Sequence, residues 1–154
     1  MRKSFWILFF VLLASNLFAQ TNYIPSGVWK YIDGHDTIEF YLKSSQMNVA
    51  GTTYPILIGF HKYIKNGQLI ESSMGDINTD YSDKKYTILL YNVQENRAKY
   101  SGNFKDLSTD VNRLIILTKL TPKNISVRLT SKQVSKNING IGYTLPRNFT
   151  LIRE

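Results

Sequence analysis

The chain has no cysteine and only two histidines in its 154 residues. Without thiols there can be no disulfide framework, no thiolate metal site, no cysteine nucleophile and no lipid-modified N-terminal cysteine. Stability must come from a packed core. Proline is scarce, with four residues. Long apolar runs are scarcer still: the longest, from Phe5 to Ala14, is short of the about 20 residues that a membrane-spanning helix needs. The charge is lopsided, with 19 Lys and Arg against 11 Asp and Glu and a net +8. These cations are not concentrated. They fall singly at Lys30, Lys43, Lys62, Lys99, Lys119, Arg128 and Lys136, with a pair at Lys84 and Lys85. A nucleic-acid groove needs a stripe of positive charge, so nucleic-acid binding is not expected.

The apolar run is a leader. Arg2 and Lys3 precede it, and Ser15 to Ala19 follow it as a small-residue site, giving the three regions of a secretory signal cleaved after Ala19. Residues 1–19 are therefore expected to be removed, leaving residues 20–154 as one exported domain, periplasmic or secreted, with no membrane span. A domain of that length can bury roughly two-thirds of its unfolded surface around a single core.

Residues 20–154 show short period-two segments separated by turn signals, the pattern of an all-β meander. Gly27 to Ile32 and Thr37 to Lys43 flank Asp33-Gly34, whose residues tolerate the positive φ of a tight hairpin turn. Ile38, Phe40 and Leu42 share one face of the second strand. Tyr54 to Lys65 follows, with Ile56, Ile58, Phe60 and Ile64 on one parity, and Asn66-Gly67 turns the chain into Gln68 to Ser73. Residues 74–85 lack apolar rhythm and are expected to form a mobile loop with at most one helical turn. Further strands are expected at Tyr86–Val93, Arg97–Phe104, Arg113–Leu120, Ile125–Ser131 and Asn148–Arg153, the last after a loop at Gly140, Gly142 and Pro146. The expected fold is an antiparallel meander of eight to ten strands closing into a β-barrel, with a β-sandwich as the alternative.

Catalytic constellations are missing from the pattern. His35 lies at a turn and His61 on the outward parity of its strand, neither with a partner at metal-ligand spacing, so no metal and no cofactor are expected. Glu39, Glu71 and Glu95 sit at polar or turn positions and read as solvated, and no serine occupies a nucleophile elbow. An enzyme is not expected. The ten tyrosines all follow the leader, and Tyr41, Tyr63 and Tyr91 fall on the wet parity; the ordinary preference of strands for tyrosine accounts for this first, and an aromatic platform for sugars or a protein partner is the alternative.

Gly27-Val28-Trp29 resembles the Gly-x-Trp opening of lipocalins and related calycin barrels. That resemblance implies that Trp29 closes one end of the barrel and that a basic residue of the last strand, Arg153, covers its ring. Together with Thr37 to Leu42, Ile56-Leu57-Ile58-Gly59 and Leu145 to Leu151, the chain resembles a group of small exported Bacteroidota proteins known only as a domain of unknown function. Thr79-Asp80-Tyr81 matches the second lipocalin motif in type but lies in the expected loop, where it reads as coincidence. The expected function is a non-catalytic binding module for a small apolar ligand or an envelope protein, with Phe40, Phe60 and Tyr100 as interior candidates. The alternative is a protein-interaction factor, such as an inhibitor or immunity-type protein, using the outer face or the 74–85 loop.

Overall fold

The computed structural model describes residues 23–93, 96–131 and 144–154. The expected leader, Glu95 and the loop expected at Gly140 and Gly142 lie outside them. Nine strands are formed: β1 (Gly27–Asp33), β2 (Asp36–Val49), β3 (Thr52–Lys65), β4 (Gln68–Ser72), β5 (Ile88–Val93), β6 (Asn96–Asp106), β7 (Val111–Lys119), β8 (Asn124–Ser131) and β9 (Asn148–Arg153). Each pairs antiparallel with its neighbours in the order β2-β1-β9-β8-β7-β6-β5-β3-β4, and a further β2–β3 ladder closes eight of them into a barrel with β4 outside it. The all-β barrel is thus the architecture, and the sandwich is set aside.

Local chemistry explains the turns. Gly34, Asn66 and Gly67 adopt positive φ in the β1–β2 and β3–β4 hairpins, as Asp-Gly and Asn-Gly pairs favour. A third tight turn has no such signal: Ala50 and Gly51 have φ of 50° and 82°. It extends the β2–β3 ladder from Lys43↔Ile58 out to Val49↔Thr52, well past the strand ends read from the sequence.

The barrel interior is one continuous apolar cluster. Trp29, Ile38, Phe40, Leu42, Ile88, Leu90, Phe104, Ile115, Leu117, Ile125 and Leu151 are all fully buried in it. Each such side chain contributes roughly 1.5–3 kcal/mol by leaving water. Phe40 is ringed by Phe104 at 6.3 Å, Phe149 at 6.0 Å and His61 at 6.4 Å. Where β5 and β6 draw close there is no room for any side chain: a Cβ on Gly102 would lie 1.9 Å from the Leu89 carbonyl oxygen.

In β3 the expected parity is inverted. Ile38 faces Tyr63, Phe40 faces His61 and Leu42 faces Gly59 across the β2–β3 ladder, so Leu57, Gly59, His61 and Tyr63 point inward. His61 and Tyr63 are buried rather than wet. Phe60 and Ile58 are opposite Tyr41 and Lys43 and so belong to the outer face, yet neither is exposed at all. Phe60 is therefore not an interior residue. A strap formed by residues 73–87 covers this face, with one 3-10 turn, Met74–Asp76, packed on β3 and a second, Tyr81–Asp83, packed on β2. The strap is held by Lys43 Nζ, which donates to the Ile77 carbonyl and pairs with Asp80, both at 3.3 Å. A reciprocal capping box between Asp80 and Asp83 and a Tyr81–Tyr86 ring stack hold it further. The expected mobile loop is thus a pinned cover.

Candidate functional site

Three regions carry polar or exposed aromatic chemistry. The first closes the barrel beside the β3–β4 and β6–β7 turns. His61 is on β3, Glu71 on β4, Ser73 and Thr87 end the strap, and Ser108 is in the β6–β7 turn. His61 Nε2 is 2.9 Å from Glu71 Oε1, and Nδ1 is 2.7 Å from Thr87 Oγ1. Ser73 Oγ is 3.0 Å from Thr87 Oγ1, while the backbone N–H and the hydroxyl of Ser108 both donate to Glu71 Oε2 at 2.8 Å. Burial pushes the Glu71 pKa up, but hydrogen bonds from His61 and Ser108 outweigh it and hold the carboxyl below the usual range. An ionised Glu71 only accepts, so Nε2 carries the hydrogen, and in the neutral ring Nδ1 accepts from the Thr87 hydroxyl. The Ser73 hydroxyl also donates to the His61 carbonyl at 3.3 Å, so its one hydrogen is shared between that oxygen and Thr87 Oγ1.

The sequence reading of a solvated Glu71 and an outward His61 is corrected here: both are buried, Glu71 with 6% of its surface exposed. The His61 ring also lies 4.8 Å from that of Phe104. Enclosed in this way, with the Thr87 hydroxyl engaged by both His61 and Ser73, the chain ties four segments together. Nearby, Asp106 accepts from the Thr144 hydroxyl at 2.7 Å and the Thr144 backbone at 3.2 Å, anchoring the segment before β9. His35 is exposed in its turn, and Glu39 sits on the outer face between Lys30 and Lys62 at 3.5 and 3.4 Å. Among the described residues no three His, Cys, Asp or Glu cluster as metal ligands.

The second region is the opposite end. Trp29 is fully buried there and donates from its indole N–H to the Pro25 carbonyl at 3.2 Å. Arg153 is its direct cross-strand partner. Its guanidinium donates to the Ser26 carbonyl at 3.1 Å and lies 3.8 Å from where a Gly27 Cβ would stand. A hydrogen bond, in place of the expected cation–π contact, fastens the end. Tyr23 and Ile24 plug this mouth above Tyr100 and Leu57, leaving an inlet of about 140 Å³. Burial pushes the Tyr100 phenol up, partly offset by hydrogen bonds from Asn92 and the Ile24 backbone.

The third region is where β2 and β3 leave the barrel as a two-stranded arm. β1 pairs with β2 only as far as Leu42, and β5 pairs with β3 only from Ile56 onward, so the arm beyond has the β2–β3 ladder alone. At its root Met47, Val49, Tyr54, Pro55, Tyr91 and Asn92 line a cleft of about 520 Å³. Tyr54, Val49 and Tyr91 are exposed. Of these only Tyr91 was singled out by parity. The arm was hidden because Ala50-Gly51 is a weak turn signal.

The structure thus brings Phe40 and Tyr100 into the core, puts Phe60 under the strap, and places Trp29 beside Arg153. No helix among the described residues is long and apolar enough to cross a membrane. A family model matches residues 1–154: the chain belongs to DUF6705, a family of unknown function. No curated protein and no solved structure matches it.

Proposed function

We propose that the protein is an exported, non-catalytic binding module that takes a small apolar ligand in the cleft at the root of the arm. The observation that carries this reading is the cleft itself. Its volume of about 520 Å³ falls within the roughly 300–1,000 Å³ usual for small-molecule sites. Its walls are apolar and aromatic apart from Asn92, whose side chain bonds the Tyr100 phenol. The three rings packed around Phe40 favour the cleft over the barrel interior as the ligand site. Export rests on residues 1–19, and the resemblance to small Bacteroidota proteins fits the same setting.

The test is a titration with the anionic aromatic dye 1-anilinonaphthalene-8-sulfonate at about 0.5 M salt, which screens its attraction to the basic surface. The parent should show saturable enhancement, which Tyr54→Ser and Tyr91→Ser should weaken at least tenfold while Tyr31→Phe, outside the cleft, leaves it unchanged. Equal enhancement in all four proteins refutes the site.

A second reading is favoured by the arm's backbone. Residues 44–49 and 52–55 extend beyond their barrel neighbours, and such an edge can accept a strand from a protein partner. An interaction factor of this kind would lose its partner on Asn48→Pro with the dye site intact.

A further inference from the structure

We propose that the outer face of β5, β6 and β7 carries a second, separate site, a pocket for a neutral sugar. Tyr86, Thr87, Leu89, Asn103, Lys105 and Asn112 enclose about 250 Å³ there. The wall is rigid, because Leu89 pairs directly with Asn103 and Lys105 with Asn112 across the two ladders. Tyr86 is fixed as one side of the pocket by Tyr81, whose ring lies parallel within 10° at 5.6 Å. Burial pushes the Tyr86 phenol up, and the neighbouring Tyr81 and Tyr91 push it further, so the ring stays neutral.

The lining selects the ligand chemistry. Asn103 and Asn112 each offer both a donor and an acceptor, as each hydroxyl of a sugar does. Among the described residues neither amide has a side-chain hydrogen bond that would compete. An aromatic ring beside paired amides suits a pyranose, whose C–H face is apolar and whose edge is polar. Thr87 presents its methyl, since its hydroxyl is held by His61 and Ser73. An anion is disfavoured: among the described lining residues Lys105 is the one cation, and Asp110 lies 3.0 Å from it. A wholly apolar ligand is disfavoured by the two amides. The volume suits one sugar ring with part of a neighbour, below the range of drug-sized sites.

The experiment is an NMR titration of the ¹⁵N-labelled protein with chitotriose, cellotriose and maltotriose in turn. At least one trisaccharide should give saturable shifts confined to amides of β5, β6 and β7. Tyr86→Leu should weaken that binding at least tenfold and Asn103→Ala at least threefold. Tyr54→Ser, in the arm cleft, should leave it unchanged, so that failure of this pocket and failure of the cleft are separately visible. Trp29 emission checks that each variant is folded. If Tyr86→Leu does not fold, the double variant Asn103→Ala with Asn112→Ala decides. No saturable shift with any of the three sugars overturns the proposal, as does binding indifferent to the Asn103 change. Saturable binding of inorganic phosphate that Lys105→Gln abolishes overturns it as well.

Discussion

His61 and Glu71 face each other within the barrel wall, ring Nε2 to carboxylate oxygen 2.9 Å, both hidden from solvent. One lies on β3 and the other on the strand outside the barrel, so this pair fastens β4 to the closed cylinder.

Because the hydrogen bonds from His61 and Ser108 lower the Glu71 pKa in the folded protein, its contribution to stability has a definite pH window. It is fully present above the ordinary glutamate value of about 4.3 and is lost as pH falls through the lower folded value. Urea unfolding from pH 7 down to pH 3 should show this loss. Glu71→Gln should flatten the acid limb and cost about 1–3 kcal/mol at neutral pH, and Glu71→Ala about 3–5 kcal/mol by stranding a buried partner. An unchanged acid limb in Glu71→Gln would count against the assignment.

Trp6 and Trp29 are the two tryptophans of the chain, so in protein expressed from residue 20 onward fluorescence reports the Trp29 end of the barrel alone. Emission should be blue-shifted in the folded protein. Trp29→Ala should cost roughly 3–5 kcal/mol, while Arg153→Ala, losing one hydrogen bond to the Ser26 carbonyl, should cost about 1 kcal/mol. Denaturant midpoints of the two variants measure the difference.

Gly102→Ala should be among the worst single changes in the chain. Its new methyl would meet the Leu89 carbonyl at 1.9 Å, and the backbone of β5 must move to relieve it. We expect a loss above about 4 kcal/mol, in the exceptional range for point changes. Gly75→Ala meets nothing within 4 Å and should stay within about 0.5 kcal/mol of the parent. Thermal unfolding of the pair checks both.

Phe60 and Phe40 should be equally costly to truncate, at about 3–5 kcal/mol each, but with different local effects. Phe60→Ala should speed amide hydrogen exchange across residues 74–86, because the strap loses the side chain it covers. Phe40→Ala should spread the effect through β2 and β3. Identical exchange maps would contradict the placement of Phe60 under the strap.

Much of the barrel was legible from short-range chemistry. The Asp-Gly and Asn-Gly turns located two hairpins, and the alternation at Ile38, Phe40 and Leu42 marked an inner face that holds. β3 was misread for a physical reason: both of its faces are buried, one by the core and one by the strap, so Ile56, Ile58 and Phe60 look like core while Leu57, Gly59 and His61 occupy it. The strap gives no periodic signal because its 3-10 turns are held by polar contacts such as Lys43 with Asp80. The buried relay was invisible for a similar reason. Thr87 is 26 residues from His61, and Ser108 is 37 from Glu71, distances that local spacing cannot read. The arm cleft depends on where β1 and β5 stop pairing, which is a property of neighbours rather than of β2 and β3 themselves.

The seam between β1 and β9 has a consequence for how the chain reaches this state. Lys30 bonds Glu154 at a separation of 124 residues, whereas the β2–β3 hairpin is wholly local. Ladders of low separation form early and distant ones late, since the chain must first lose the entropy of a long loop. The cylinder is therefore expected to assemble as an open, curling sheet and to zip shut last. Until it does, β1 and β9 present raw edges, which makes this seam the point where slow folding and edge-to-edge aggregation would begin.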